Sequence, residues 1–336
     1  MLAFIIRRLA LGVLVVFGVV ILTFLLARVL PTDPVSQYVG ARATPEERAR
    51  AASELGVDQP MYVQFGMFFG DLVRGDLGRS LRSKQPVTRE LAAFLPPTLE
   101  LVVAAMLMAA VIGVPMGMLS AKSKDRWPDH TSRVVSVAAI AVPSFVLGMG
   151  LQLVFFRWLH VLPLGGQLNQ YYRLIDPVPH VTGFLGIDCL LAGNLGALAD
   201  YLQHLILPAF TLGAGALAIM SRMTRSSMLE ILNEDYITAE RSYGLPERTV
   251  LWKYAFKNSI GPLATVTALT IGFLVVNTFL VEIIFDWPGI GTYIATAVVT
   301  LDYPAIIGIT IFAAVTYVIV NMLADIVVAI DPRVRL

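Results

Sequence analysis

The sequence predicts an all-α integral membrane protein with six transmembrane helices. Of its 336 residues 57% are hydrophobic and only 15% are charged. The apolar residues are gathered in runs long enough to cross a bilayer, which takes about 20 residues in a helix. The alternating pattern of a membrane β-barrel is absent from these runs. Because the bilayer core offers no water, the backbone of each run has to satisfy its own hydrogen bonds as a helix.

Each of the six runs predicts one span. They are Leu9–Leu30, Leu99–Ala121, Val134–Phe156, Leu205–Ser221, Ile260–Phe285 and Ala305–Ile330. The first run follows an arginine pair, but it is too long for the apolar region of a signal peptide and no small-residue cleavage site follows it. It is therefore expected to remain as a helix. Pro143 in the third run and Pro208 in the fourth predict kinks.

Lysine and arginine residues in the short flanks predict the orientation of the chain. With the N-terminus in the cytoplasm, the positive residues within 122–133 and 222–259 lie inside, and the outer loop Asp286–Pro304 has none. Both termini are then cytoplasmic. The chain divides into residues 1–30 with the N-terminus and first span, an extracytoplasmic segment 31–97, and a membrane core 98–336.

The two extracytoplasmic segments contain signals for further helices. In residues 31–97, Thr44 and Pro45 predict the start of a helix that ends at Gly56. Residues 161–204 mix proline, glycine and asparagine with short apolar runs, which predicts short or re-entrant helices whose positions the pattern does not define.

The cytoplasmic segment 222–259 is the most polar long stretch in the second half of the chain. A helix is predicted from Arg222 to Tyr243, because this range has no glycine or proline and its apolar residues recur at helical spacing. Gly244 suits a left-handed helix terminus, and Pro246 begins a second helix that runs to about Asn258. Two interpretations are open: a helix pair lying on the bilayer surface, or a docking element for another protein.

Residues 235–263, with the sequence DYITAERSYGLPERTVLWKYAFKNSIGPL, resemble the cytoplasmic EAA loop of binding-protein-dependent ABC transporter permeases. The resemblance is to the dipeptide/oligopeptide branch of that family. Other stretches fit the branch in order and extend the resemblance over nearly the whole chain: LPTDPV, DLVRGDLGRSL, VPSFVLGMGLQLVF, HLILPAFTLG, SRMTRSSMLEIL, VEIIFDWPGIG, LDYPAIIG and DPRVR.

The resemblance implies a type I importer permease fold in which residues 222–259 form the loop that couples the membrane subunit to an ATPase. The matching residues that imply this role are Asp235, Tyr236, Ala239, Arg241, Gly244 and Leu245. Thr238, Ala239 and Glu240 stand where the family motif begins Glu-Ala-Ala. Glu240 lies in the coupling loop at a position where the pattern has alanine, so the resemblance implies no salt bridge for it.

The resemblance also implies a set of partners in the cell membrane of a prokaryote. They are a second homologous permease subunit, two ABC ATPase subunits and an extracytoplasmic solute-binding protein. The chain has no phosphate-binding loop of the type G-x-x-x-x-G-K-[ST]. ATP and Mg are therefore expected on the ATPase subunits, with no enzymatic activity and no cofactor in this chain. One cysteine and four scattered histidines predict neither a disulfide framework nor a metal site.

Polar residues within or beside the spans are the candidates for the translocation path or a gate, because ionisable groups are rare in membranes. The candidates are Asn277, Glu282, Pro288, Gly289 and Gly291. Glu282 either lines the passage or holds the outer loop, and the sequence leaves both possibilities open. For Asp325 a helix-end residue with a water or arginine partner is favoured over a functional group.

Three functions remain on the sequence alone. The first is the permease subunit of an ATP-driven importer of di- and oligopeptides. The second is the same machinery with another cargo: a nickel chelate, a haem precursor, glutathione or an oligosaccharide. The third is a stand-alone channel or secondary transporter. The third is disfavoured because the ionisable residues Glu282 and Asp325 lie near the ends of their spans, whereas secondary transporters place such groups at mid-membrane.

Overall fold

A computed structural model describes residues 2–29, 35, 39–40, 43–54, 56 and 58–330 of the chain. Most of the LPTDPV stretch and all of DPRVR lie outside these residues. The regular structure of the described residues is helical, apart from one isolated antiparallel bridge between Arg79 and Pro86. The all-α class predicted from the sequence is confirmed.

The described helices are numbered here in chain order. They are α1 (Leu2–Val29), α2 (Pro45–Glu54), α3 (Met61–Val73), α4 (Val87–Lys122), α5 (Trp127–Ala141), α6 (Ser144–Trp158), α7 (Gln170–Leu174), α8 (Leu185–Leu191), α9 (Leu195–Leu232), α10 (Asp235–Ser242), α11 (Glu247–Ile284), α12 (Ile290–Val299) and α13 (Tyr303–Ile330). Within residues 161–204, α7 and α8 confirm the prediction of short helices.

Five of these helices, α1, α4, α9, α11 and α13, are long and apolar enough to cross a membrane, and α5 with α6 make a sixth span if the bent pair is one crossing. Each of these five helices begins before the first residue predicted for its span. The fourth span was predicted to start at Leu205, but α9 starts ten residues earlier because the side chain of Asn194 caps it, accepting from Ala197 N at 2.9 Å.

The third span is a broken helix rather than the single helix predicted over Val134–Phe156. The helix axis bends by 106° between α5 and α6. Pro143 lacks an N–H and forces the preceding residue out of the helical region, and Val142 is extended with ψ 123°. The kink predicted at Pro143 is thus present, whereas α9 runs through Pro208 as one helix.

The polar segment 222–259 differs from its prediction at two places. The helix predicted from Arg222 to Tyr243 is interrupted, since α9 ends at Leu232 and an extended Glu234 (ψ 146°) separates it from α10. The helix predicted from Pro246 to Asn258 is continuous with the fifth span as α11, and Pro246 is its extended N-cap residue. Gly244 has φ +77°, as predicted for a left-handed helix terminus.

The described chain forms two compact units, and the larger one includes residues 96–292 and 319–330. Its core includes Leu101, Ala105, Leu212, Met220, Leu274, Val281, Phe285 and Trp287. Helices α4 and α9 approach closely through glycines: a Cβ on Gly113 would lie 2.7 Å from Leu217 O, and one on Gly213 would lie 2.7 Å from Ala105 O. Small residues bring membrane helices together in this way because lipid tails provide no hydrophobic drive for association.

The smaller unit comprises Leu2–Leu95 and Tyr293–Val318. Within it α3 packs on α1 through aromatic rings, with centroids 5.2 Å apart for Phe24 and Phe65 and 5.8 Å apart for Phe17 and Phe69. The predicted start of α2 is confirmed by a reciprocal cap. Thr44 N donates to Glu47 Oε2 at 2.8 Å, and Glu47 N donates to Thr44 Oγ1 at 3.3 Å.

Candidate functional site

Helix α10 exposes most of its surface, which is unusual in a chain this apolar. Ile237 is its one fully buried residue, and Asp235, Tyr236 and Ala239 are exposed. Glu240 and Leu245 are half-buried, and Tyr243 is 83% exposed. A short helix that is anchored by one apolar side chain and otherwise faces outward leaves a surface free for another protein.

The connection from α10 to α11 is held by side-chain contacts on both sides of Gly244. Arg241 donates to the carboxylate of Glu247, from Nη2 to Oε1 at 2.9 Å and from Nε to Oε2 at 3.3 Å. Asn258 Nδ2 donates to Tyr236 Oη at 3.0 Å. The predicted coupling residues therefore belong to one structured loop, whose turn angle depends on the left-handed geometry of Gly244.

The base of this loop is an apolar cluster shared by three helices. It contains Met118 and Ala121 of α4, Met228 of α9, and Leu251 and Ala255 of α11. These buried contacts explain why α11 continues past Asn258, because its first turns pack on α4 and α9. The loop that contains α10 is therefore joined to two long helices, α9 and α11, that pack on each other.

Glu282, near the C-terminal end of α11, is completely buried, with 0% of its surface exposed. Its Oε1 accepts from Thr98 Oγ1 at 2.7 Å, and its Oε2 accepts from Gly291 N at 2.6 Å. Thr98 Oγ1 in turn accepts from Ile290 N at 2.9 Å. Of the two roles considered for Glu282, these contacts favour holding the outer loop over lining a passage.

Two other residues of the predicted gate, Gly289 and Gly291, lie against this carboxylate, and Pro288 precedes them in the same turn. Gly289 and Gly291 are buried, and a Cβ on Gly289 would overlap the carboxylate oxygens of Glu282. A Cβ on Gly291 would lie 2.6 Å from the Cα of Phe279. Pro288 is half-buried and lines a separate outer cavity of about 360 Å³ with Arg173 and other loop residues. The two glycines are required by the close approach of Glu282 to the backbone.

Asn277 lies apart from Glu282, at a cavity beside the break between α5 and α6. Its Nδ2 donates to Phe273 O at 2.8 Å, and its side chain is exposed. The cavity measures about 340 Å³ and is also lined by Pro143, Thr211 and Arg222. The structure therefore separates the predicted path residues into a buried outer junction and one exposed residue at the helix break.

Sequence reasoning missed a buried ion pair in the larger unit. Asp129 is 0% exposed and accepts from Arg225, with Nε to Oδ1 at 2.6 Å and Nη2 to Oδ2 at 2.9 Å. Asp129 lies in the first turn of α5, next to a charged turn, where a paired and an unpaired aspartate look alike in sequence. Arg225 entered the prediction only as one of the positive charges that orient the chain.

A second missed contact lies in the smaller unit. Asp302 is buried and accepts from Ser80 Oγ at 2.5 Å and from Leu81 N at 3.0 Å. In the same unit Tyr293 donates to Glu90 Oε2 at 2.6 Å, and burial, followed by this hydrogen bond, raises the pKa of the Tyr293 hydroxyl. The stretches GDLGRSL and LDYPAIIG had been noted only for their resemblance, and they prove to bind each other through Asp302.

These features define a class of protein: a helical, multi-pass membrane protein with an exposed loop helix and a buried carboxylate that holds a turn together. Two family models match the chain. Residues 113–336 match the inner membrane component of binding-protein-dependent transport systems, and residues 1–102 match the N-terminal region of such membrane components. The chain belongs to this family of inner membrane transport components; it is a multi-pass inner membrane protein, not an enzyme, and a component of a multi-subunit transport system.

Three relatives illustrate the similarity. The chain is 43% identical over 323 residues to the probable D,D-dipeptide transport system permease protein of Escherichia coli strain K12, covering 96% of this chain and 94% of the relative. It is 40% identical to the di/tripeptide permease of Pseudomonas aeruginosa UCBPP-PA14, covering 100% and 99%. It is 34% identical to the glutathione permease of Escherichia coli O6:H1, again covering 100% and 99%.

Proposed function

We propose that this chain and a second homologous permease subunit form the path by which an ATP-driven importer moves di- and oligopeptides across the membrane. A solute-binding protein delivers the peptide, and two ABC ATPase subunits bind ATP and Mg and hydrolyse the nucleotide. The observation that carries the proposal is α10, a structured and exposed helix held at the ends of two long helices. The names of the relatives support the peptide cargo.

In this proposal α10 is the element that docks in a cleft of one ATPase subunit. Its exposed Asp235, Tyr236 and Ala239 face the partner, and the small side chain of Ala239 permits close approach. Closure of the two ATPase subunits on ATP displaces α10, and α9 and α11 transmit the displacement into the membrane. A coupling element must be stiff to do this, and the Arg241–Glu247 pair together with the buried Ile237 supplies that stiffness.

The proposed orientation has α10 and both termini in the cytoplasm. It is supported by the lysines and arginines of residues 122–133 and 222–259, since positive residues in short flanks are retained on the cytoplasmic side. The carboxylate junction around Glu282 then lies near the outer face, where the solute-binding protein docks.

Another cargo is the second candidate function. The similarity to a glutathione permease favours this alternative among those considered from the sequence, which also include nickel chelates, haem precursors and oligosaccharides. Glutathione is itself a modified tripeptide, so both cargoes present an ammonium group, amides and carboxylates. Mass spectrometry of the ligand that co-purifies with the solute-binding protein decides between them.

Reconstitution tests the whole proposal. The chain, the second permease and the two ATPase subunits are purified together and placed in vesicles, and uptake of a labelled dipeptide is followed with the solute-binding protein outside. Uptake should require both the binding protein and hydrolysable ATP, and should stop with a non-hydrolysable analogue. Uptake by the chain alone, without ATP or ATPase subunits, would indicate a channel or secondary transporter instead.

A further inference from the structure

The carboxylate of Asp129 is saturated by donors from three helices and a loop. Besides the two bonds from Arg225, Oδ1 accepts from Ser120 Oγ at 2.5 Å, and Oδ2 accepts from Asp125 N at 3.0 Å and Arg133 Nη2 at 3.3 Å. Arg225 presents its planar guanidinium edge-on, so both oxygens are bound in a fixed geometry. The contact therefore joins the end of α4, the α4–α5 turn, α5 and α9 at one point.

Arg225 lies close to the end of α9 that leads to α10. Arg225 lies seven residues before the end of α9, about 10 Å along the helix axis at 1.5 Å per residue. Helix α10 begins three residues after that end. The proposed docking helix is thus separated from the buried ion pair by about two turns of α9 and by the two residues Asn233 and Glu234.

Backbone packing makes the same junction resistant to sliding. A Cβ on Gly117 of α4 would lie 2.7 Å from the Cβ of Thr224 and 3.2 Å from Arg225 N. One turn further into α9, the hydroxyls of Ser132 and Ser221 are 3.3 Å apart, which connects α5 to α9 again. The charged contact, the glycine approach and the hydroxyl contact all act on the last four turns of α9.

We infer that the Asp129–Arg225 pair is a positioning contact that locks the cytoplasmic end of α9 to the α4–α5 hairpin, so that a displacement of α10 moves these helices as one body. The inference rests on the proposed coupling role of α10. Without the lock, α9 would rotate or slide against the hairpin, and part of the displacement would be lost before it reached the membrane. Neither residue has to touch substrate or nucleotide for this role.

Two substitutions test the lock in the assembled transporter. Arg225→Lys keeps the positive charge but cannot form the bidentate hydrogen bonds to Asp129. Asp129→Asn keeps the size of the side chain but loses the negative charge. We expect both complexes to hydrolyse ATP while peptide uptake falls at least about tenfold, within the usual range for loss of an allosteric coupling. The number of ATP molecules hydrolysed per peptide then rises by the same factor. Arg126→Lys, at an exposed arginine of the same hairpin, is the matched control and should leave this ratio unchanged.

A distance measurement tests the inference without disturbing the pair. The single native cysteine, the buried Cys189, is replaced by alanine, and spin labels are placed on the exposed positions His130 and Glu230 by substitution with cysteine. The distance between the labels should change by no more than about 2 Å between the nucleotide-free and the ATP-bound, vanadate-trapped complex, the scale of ordinary helix shifts. A larger change overturns the inference, as does a parallel loss of ATP hydrolysis and uptake with an unchanged ratio in both variants.

Failure of the proposed function gives a different result. If the unmodified chain does not co-purify with ATPase subunits, the coupling role of α10 is wrong before the lock is tested. If the unmodified complex couples ATP to uptake and Arg225→Lys and Asp129→Asn couple equally well, only the lock is wrong.

Discussion

Gly291 N donates to Glu282 Oε2 at 2.6 Å, and the α-carbon of Gly291 lies so close to α11 that a Cβ would meet the Cα of Phe279 at 2.6 Å. The turn after α11 therefore closes on the buried carboxylate by direct backbone contact. The contact holds the start of α12 against the end of α11, and substitutions at Glu282 and Gly291 can test how much it stabilises the protein.

Glu282→Gln should weaken the buried contacts of residue 282 with Thr98 and Gly291 and so destabilise the protein. A glutamine amide places a donor where either Gly291 N or the Thr98 hydroxyl now donates, so one buried group loses its partner at a cost of about 1–3 kcal/mol. The thermal midpoint of the purified protein should fall. Glu46→Gln, at an exposed glutamate of α2, should leave it unchanged. Equal thermal midpoints for Glu282→Gln and Glu46→Gln would contradict the structural role assigned to Glu282.

Gly291→Ala should also destabilise the protein, for a steric reason. The added methyl group must displace the backbone of α11 or the Glu282 carboxylate, and overpacking of this kind costs about 1–3 kcal/mol. Gly150→Ala in α6 is the matched control, because a Cβ there meets no atom within 4 Å. A thermal midpoint for Gly291→Ala as high as that of Gly150→Ala would show that the turn adapts easily.

Substitutions of Gly244 should separate the backbone requirement from side-chain size. At φ +77° valine is strongly disfavoured, whereas asparagine is one of the few residues that tolerate the left-handed region. Gly244→Val should lose substrate-stimulated ATP hydrolysis and uptake in the reconstituted complex, and Gly244→Asn should keep most of both. Normal coupling in the valine variant would exclude the left-handed turn as a requirement for coupling.

Asp302→Asn should loosen the loop that Asp302 holds. The carboxylate accepts from Leu81 N and Arg82 N as well as from Ser80, and an amide cannot accept all three bonds. Hydrogen exchange of the backbone amides at residues 81–83 should accelerate. Asp286→Asn, at an exposed aspartate, provides the comparison and should leave those amides protected.

The loop before α8 should depend on pH through Asp188. Burial opposes ionisation of this carboxyl, but hydrogen bonds from Thr182, Val181 and Gly183 outweigh it and lower its pKa below the usual 3.8. A lowered folded-state pKa means that the stabilisation is complete above the unfolded value and is lost as the pH falls through the folded value. Amide exchange at 181–183, corrected for intrinsic rates, should rise below about pH 4.

Asp188→Asn is the control for that experiment. It should remove the pH dependence and expose the same amides at all pH values, because one oxygen acceptor becomes a donor. Persistent protection of residues 181–183 in the asparagine variant would show that other contacts hold the loop.

The sequence alone determined those features whose causes are local. Hydropathy over about 20 residues predicted the spans, and turn chemistry predicted the cap at Thr44 and the left-handed Gly244, because each depends on neighbours within a few residues. The helix boundaries that were predicted wrongly depend on contacts between distant residues, and the residues next to each boundary carry only a weak signal. The spacing of apolar residues predicted one helix from Arg222 to Tyr243, but Asn233 and Glu234 interrupt it. The second predicted helix was expected to end near Asn258, but α11 continues because Leu251 and Ala255 pack on α9.

Only the tertiary structure decided which charged residues are buried and with what partner. Asp129 and Arg225 are 96 residues apart in the chain, Thr98 and Glu282 are 184 apart, and Ser80 and Asp302 are 222 apart. A carboxylate in a loop or near a helix end has the same local pattern whether water or a distant side chain binds it. Helix packing brings those partners together, so the roles of Asp129, Glu282 and Asp302 follow from the fold and not from their neighbours in sequence.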